Sequence, residues 1–382
     1  MVIGMNGSYE IGPIRPPSEA YSLFVRVTRN CPWNRCKFCH IYKGSKFEIR
    51  SVDDIKRDID IARLCYDAIK ENAAKKGLGD NVRSAAAAML NTVPSEAFNN
   101  VALWLYAGGE NVFIQDANSL VISTDQLVEV LDYLKKTFPS IKRITSYARA
   151  HTAARKTVEE LRRLHESGLS RLHIGLESGS DTVLKFMDKG VTAADQIRGG
   201  KNIVASGISL SEYVLIGAGG KKIWREHATE TARVLNEINP DYIRIRTLTI
   251  NSQMPLCDEV EKGNFLRSND EDAANEERLL IEKLDCSSNF VSDHTTNLFQ
   301  ELEGKLPGDK AGFLTVIDRF LALSQDDKYR FELGRRMGIY SRIADIDDPD
   351  KQKMVNQYAD KVIAEGPEVV DRVIWELMER FI

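Results

Sequence analysis

Residues 141–176 read IKRITSYARAHTAARKTVEELRRLHESGLSRLHIGL. The stretch opens on a β-rich run, Ile141–Tyr147, and closes on another, Arg171–Leu176. Between them, Thr157-Val158-Glu159-Glu160-Leu161-Arg162-Arg163-Leu164 has the apolar spacing of a half-buried helix. A strand, a helix and a second strand in this order make one crossover unit. Such a unit sets the two strands parallel and lays the helix over one face.

The same rhythm extends in both directions. Ser22–Thr28 and Asn111–Asp116 read as strands upstream, Ser211–Ile216 and Tyr242–Thr249 downstream. Helical patterns cover Val52–Lys70, Thr124–Phe138, Thr157–Ser167, Asp181–Lys189 with a continuation after Thr192, and Trp224–Ile238. Six such units predict an α/β fold, a partial (β/α)6 TIM-like barrel, open instead of closed at eight. The expected organisation is a lead segment over 1–20, the barrel over 21–255 and a mostly helical region over 256–382 that caps the barrel or docks on it. Residues 71–110 read as an inserted loop with a short helix around Ala85-Ala86-Ala87-Ala88-Met89-Leu90. Asp345–Asp350 reads as a break before a final helix ending at Ile382.

Composition narrows the function classes. The 382 residues carry 52 basic and 56 acidic side chains, a net charge of −4. That balance gives no chain-wide attraction to nucleic acid or an anionic membrane. The start, Met1 to Gly7, lacks a basic region followed by an apolar run, and no window has the apolar length of a membrane span. A cytoplasmic protein is expected.

Three of the six cysteines sit together, in Asn30-Cys31-Pro32-Trp33-Asn34-Arg35-Cys36-Lys37-Phe38-Cys39. The spacing is Cys-x4-Cys-x2-Cys, just beyond the first predicted strand. Strand C-terminal ends are where barrels of this kind carry chemistry. Three thiolates can hold three irons of a four-iron cluster and leave the fourth open to a ligand. A buried cysteine cluster, or a zinc site completed by His40, are the alternatives. Zinc sites usually take their ligands as two spaced pairs, and Cys39 and His40 are adjacent. Cys65, in a helical pattern, reads as core, and Cys257 as an additional redox-capable thiol.

This loop resembles that of the radical S-adenosylmethionine superfamily. There the common spacing is Cys-x3-Cys-x2-Cys with an aromatic residue before the last cysteine, a place taken here by Phe38. The x4 gap, the Cys-Pro-Trp-Asn start and the upstream Arg15–Ala20 segment match an uncharacterised subgroup. The resemblance runs to about residue 325. It implies that Cys31, Cys36 and Cys39 ligate a [4Fe–4S] cluster. It also implies that S-adenosylmethionine binds the open iron and is cleaved reductively to a 5′-deoxyadenosyl radical, which takes hydrogen from a small-molecule or peptide substrate. A flavodoxin- or ferredoxin-like donor would supply the electron. An iron–sulfur electron carrier or sensor without turnover, and a zinc-stabilised binding barrel, are the competing functions.

The resemblance also implies cofactor contacts. Asp116 and Asn118 fall where the family meets the cofactor's ammonium group, with helix capping as the alternative. Glu177 and Ser178, in Gly175-Leu176-Glu177-Ser178-Gly179-Ser180, match the segment whose carboxylate and hydroxyl face the cofactor, with a salt bridge at the barrel mouth as the alternative for Glu177. Ile216 and Gly217 fall where the family places the adenine. Arg149 is a candidate partner for the methionyl carboxylate, or a surface arginine. Gly108-Gly109-Glu110 precedes its strand and reads as a turn. On the substrate side, Arg244 and Arg246 point to one face of the sixth strand, as candidates to bind an anionic substrate or to pair with structural carboxylates. Asp293 and His294, after a short β-like run over Ser288–Val291, are candidate proton-transfer groups, with a helix N-cap and an exposed histidine as the alternative, and His173 reads as packed inside its strand.

Overall fold

The computed structural model describes residues 8–78 and 81–380. The N-terminal reading of Met1–Gly7 and the last residues of the chain therefore lie outside the described residues. The strands are β1 (Leu23–Arg26), β2 (Thr28–Arg29), β3 (Glu48–Ile49), β4 (Asn111–Gln115), β5 (Arg143–Ala148), β6 (Leu169–Glu177), β7 (Ser209–Ile216), β8 (Tyr242–Thr247), β9 (Asn289–Val291) and β10 (Glu303–Lys305). The helices up to the end of β6 are α1 (Val52–Lys75), α2 (Val82–Met89), α3 (Glu96–Tyr106), α4 (Thr124–Thr137), α5 (Ala150–Ala153) and α6 (Val158–Glu166). Then come α7 (Asp181–Phe186), α8 (Ala193–Ala205), α9 (Gly220–Ile238), α10 (Pro255–Glu261), α11 (Asp270–Lys283), α12 (Lys310–Leu321), α13 (Gln325–Arg336), α14 (Pro349–Ala364) and α15 (Pro367–Glu379).

The chain divides into two compact units. One takes the residues up to Asn34, Ile41–Ile174 and Lys201–Leu210. Its strands pair parallel in the order β1-β4-β5-β6, with Phe24 opposite Phe113, Phe113 opposite Thr145 and Tyr147 opposite His173. Val112, Ile114, Ile144 and Leu172 are buried under the helices. The other unit takes Arg35–His40, Gly175–Gly200 and Ser211–Ile382. In it β7, β8 and β9 pair parallel and β10 runs antiparallel to β9. Parallel strands with helical crossovers give the strand–helix succession of a partial (β/α) barrel, the mixed α/β class expected.

The local signals explain most boundaries. Ser51, Ser123 and Ser180 each accept a backbone N–H at a helix start, and Thr157 with Glu160 forms a reciprocal cap on α6. Two differences stand out. The stretch read as a loop with one short helix holds two helices, α2 and α3. In α3, Phe98, Val101, Ala102 and Leu105 are buried at helical spacing, beside Trp104 at 1% exposure. In the region expected to be mostly helical, β9 falls on the β-like run Ser288–Val291 and β10 is added. With three residues, β10 is too short for an alternation pattern to show. Among the described residues no helix is long and apolar enough to cross a membrane.

Candidate functional site

The cysteine loop begins in the first unit. Its base is a two-stranded antiparallel ribbon in which Thr28 faces Ile49 and Arg29 faces Glu48. Arg29 bonds Glu10 through Nη2 and Glu48 through Nη1, both at 2.8 Å. Asn30 and Asn34 have φ of 66° and 49°, the left-handed region that asparagine tolerates better than most residues. The Asn34 N–H donates to Cys31 Sγ at 3.4 Å, and the Asn34 side chain donates to the Tyr42 carbonyl.

Asp116 lies beneath this loop, fully buried. Its Oδ2 accepts from Arg26 Nη2 at 2.6 Å and Nε at 3.0 Å, and from the Asn30 N–H at 3.4 Å. Its Oδ1 accepts from the Tyr42 hydroxyl. Burial pushes the Asp116 carboxyl above its ordinary value, against the bonds from Tyr42 and Arg26. The same burial, with Asp116 alongside, drives the Tyr42 phenol up. The carboxylate expected to meet the cofactor's ammonium is thus engaged in holding the loop. Asn118 is also engaged: Oδ1 accepts from the Arg149 N–H at 3.1 Å, and Nδ2 donates to Thr152 at 2.9 Å. The Arg149 guanidinium lies 5.1 Å from the Trp33 ring centroid, within the loop's own unit.

The upstream Arg15–Ala20 segment contributes Glu19, fully buried. Burial alone would raise its carboxyl. The His173 ring, 3.8 Å from Oε1, a bond from Ser22 and the Arg143 charge outweigh it and bring the group below the ordinary range. His173 is fully buried and packs near the Phe113 and Tyr147 rings, as a core histidine.

The second half of the loop, Arg35–His40, belongs to the other unit. Main-chain bonds secure it: the Lys37 N–H donates to Met187 O at 2.9 Å, and the Leu256 N–H donates to Lys37 O at 3.0 Å. Phe38 packs on an apolar cluster that includes Val183, Met187, Leu215, Met254 and Phe265. Cys36 and Cys39 are partly exposed, as is Cys31 in its own unit, and none is in a disulfide. His40 Nδ1 is buried with no hydrogen-bond partner. Among the described residues no three His, Cys, Asp or Glu side chains converge as metal ligands. The donor set is nevertheless the right one for an iron–sulfur cluster: three unoxidised thiols, partly open to solvent, with an N–H already directed at one sulfur.

Glu177 ends β6 with φ of 62°, a strained conformation for a non-glycine residue. Its Oε1 accepts from Lys189 Nζ at 2.9 Å, and its carbonyl accepts from His227 Nε2 at 3.1 Å. Lys189 in turn lies 5.5 Å from the Phe38 ring centroid. Ser178 is fully buried: its Oγ accepts from the Ser180 N–H and its carbonyl from Gln196. Ser180 caps α7. Gly217, at φ 88°, donates its N–H to Glu276 Oε1 at 2.9 Å. A pocket of about 20 Å³ beside Ile216 and Gly217 is walled by Phe265, Arg267, Trp375 and Met378. This is water-sized.

His227, 1% exposed, holds Glu276 Oε1 at 2.8 Å through Nδ1. Burial lowers its pKa, but the charge of Glu276 and its bonds to Glu276 and Glu177 raise it further, for a net rise. A histidine with a raised folded pKa adds stability that is complete below its unfolded value, near pH 6.5, and is lost as pH climbs through the folded value. The wild-type urea midpoint is therefore expected to fall as pH rises above about 6.5, and His227→Gln is expected to flatten that slope. Parallel slopes in the two proteins would remove the charged pair from the account.

The structure adds residues the sequence reading did not name. Glu212 is wholly buried on β7, with no partner for either carboxylate oxygen; burial drives its carboxyl well up, Lys189 opposes and Glu177 adds to the rise. A lone carboxylate in the run SEYVLI was the available signal. Lys189, Arg26 and Tyr42 had none, since each acts through a partner distant in sequence.

No family model matches the chain. It is 24% identical over 308 residues to a tRNA-2-methylthio-N(6)-dimethylallyladenosine synthase of Hahella chejuensis (strain KCTC 2396), matching 78% of this chain and 58% of that protein. The chain thus spans little more than half the length of that relative. Among solved structures it is similar to the cobalamin-dependent S-adenosylmethionine radical enzyme OxsB, at 14% identity and a TM-score of 0.45 over 94% of this chain and 53% of that one. It is also similar to the radical S-adenosylmethionine methyltransferase TsrM from Kitasatospora setae, at 15% identity and a TM-score of 0.42 over 63% and 38%. Scores this low leave the fold resting on the strand order and register above. In its cysteine loop the chain resembles the radical S-adenosylmethionine superfamily.

Proposed function

We propose that the chain is a radical S-adenosylmethionine enzyme in which Cys31, Cys36 and Cys39 ligate a [4Fe–4S] cluster. The observation that carries this reading is the set of three partly exposed cysteines, none in a disulfide, in a Cys-x4-Cys-x2-Cys loop. When bound, the cluster and S-adenosylmethionine supply reductive cleavage of the sulfonium to a 5′-deoxyadenosyl radical that abstracts hydrogen from substrate.

The chain's own residues position and shield. Asp116 acts through the loop, fixing Arg26, Asn30 and Tyr42. Phe38 brings its ring and the apolar cluster behind it to the last cysteine, excluding water and stray hydrogen donors. Glu177, with Lys189 at its carboxylate, and Ser178 are the polar contacts proposed for the cofactor's donors. Asn118 and Arg149 are proposed for its methionyl end, and Ile216 with Gly217 for the base. The partners are a flavodoxin- or ferredoxin-like electron donor and a small-molecule or peptide substrate. The curated relative is named for a tRNA adenosine, but a net charge of −4 gives this chain no general attraction to RNA. Anaerobically purified and reconstituted protein is expected to hold about four irons and four sulfides per chain. Zinc without iron in that preparation would replace this reading with a structural metal site.

A further inference from the structure

Arg244 and Arg246 sit two residues apart on β8, so both project from one face of the strand. They converge on one carboxylate: Arg244 Nη1 is 3.3 Å from Asp293 Oδ2, and Arg246 Nη1 is 3.4 Å from Asp293 Oδ1. A well-made bond between such charges is about 2.7–2.9 Å long. The side chains of the two arginines are 10% and 15% exposed, whereas that of Asp293, on the loop after β9, is 42% exposed. The Arg244 Nε–H is buried and meets no acceptor among the described residues. Aromatic rings hold both guanidinium planes: Tyr213 lies 4.9 Å from Arg246 and Tyr242 lies 5.8 Å from Arg244. Beside them His294 stays neutral, since burial and the Arg246 charge lower its pKa to about 4. Two pre-set cations therefore face one exposed, loosely held anion.

We propose that Arg244 and Arg246 are the recognition site for a carboxylate group of the substrate, and that Asp293 fills this site as a displaceable stand-in. The substrate assignment rests on the radical enzyme reading; the anion site itself needs neither cluster nor S-adenosylmethionine. An incoming carboxylate takes the two Nη1 donors that now face Asp293, while Asp293 turns out to solvent. Two fixed guanidiniums sharing one carboxylate favour a planar anion, because the incumbent is itself one. A substrate bearing such a group would be oriented by its charged end.

The test uses protein without iron or S-adenosylmethionine, so it can fail while the cluster reading stands, and the reverse also holds. Thermal unfolding is followed against succinate, inorganic phosphate and chloride at matched ionic strength. Succinate is expected to raise Tm in a saturable way, to bind Asp293→Asn about tenfold more tightly because the competing carboxylate is gone, and to have no saturable effect on Arg246→Gln. If Arg246→Gln does not fold, Arg246→Lys, which keeps the charge and loses the fork, is expected to weaken succinate in the same direction. Equal affinity in wild type and Asp293→Asn would overturn the stand-in role. A shift reproduced by chloride would overturn the site, and phosphate binding in place of succinate would overturn the carboxylate assignment.

Discussion

Asp116→Asn is expected to destabilise the first unit by about 3 kcal/mol, near the low end for breaking a buried ion pair. The amide keeps the shape of the carboxylate and loses its charge, leaving Arg26 with a weaker acceptor at positions now 2.6 and 3.0 Å from its donors. Glu10, 2.8 Å from Arg26 Nη1 and partly exposed, limits the loss by pairing with the same guanidinium. The raised pKa of Asp116 indicates that burying this charge costs more than its partners return. That does not make its removal harmless, because the buried cation stays behind. The variant also weakens the acceptor shared by Asn30 and Tyr42. Urea unfolding checks the magnitude. A change under about 0.5 kcal/mol, the size of an ordinary surface substitution, would mean the carboxylate does not anchor the loop.

Cys36→Ala is expected to have the larger functional effect, with the cluster lost and formation of 5′-deoxyadenosine absent. Two thiolates cannot replace three in holding a four-iron cluster with one iron open. Stability should barely change, because Cys36 is partly exposed and makes no disulfide. The loop segment around it is held by main-chain bonds of Lys37 that the substitution leaves intact. Iron analysis and unfolding on the same preparation separate the two effects. A Cys36→Ala protein that retains a full cluster would remove this cysteine from the ligand set.

The strand–helix rhythm was legible because it is written locally. Ser211–Ile216 and Tyr242–Thr249 announce strands through β-branched and aromatic runs, and the structure trims or extends them by two residues at most. Helix α3 was also written in the sequence, as Ser95 followed by Phe98, Val101, Ala102 and Leu105. It was hidden by reading the glycines and alanines around it as a single irregular insertion. The short strand β9 was legible as the β-like run Ser288–Val291, whereas β10 is fixed by pairing with β9, which no window of three residues can reveal. At the candidate site the same division holds. The cysteines and Phe38 are a spacing pattern and could be read. The attachment of Asp116 to Arg26 and Tyr42, or of Glu177 to Lys189 and His227, depends on residues brought together by the fold.

The central claim is that this loop carries a cluster able to cleave S-adenosylmethionine. The direct measurement is anaerobic: reconstituted wild-type protein, S-adenosylmethionine and dithionite, with 5′-deoxyadenosine and methionine quantified over time. The account predicts that both products form together in the wild type and that neither forms in Cys36→Ala. A fully loaded wild-type cluster that yields no 5′-deoxyadenosine with dithionite or with a reduced flavodoxin would contradict it, and would leave an iron–sulfur protein that carries or senses electrons without turnover.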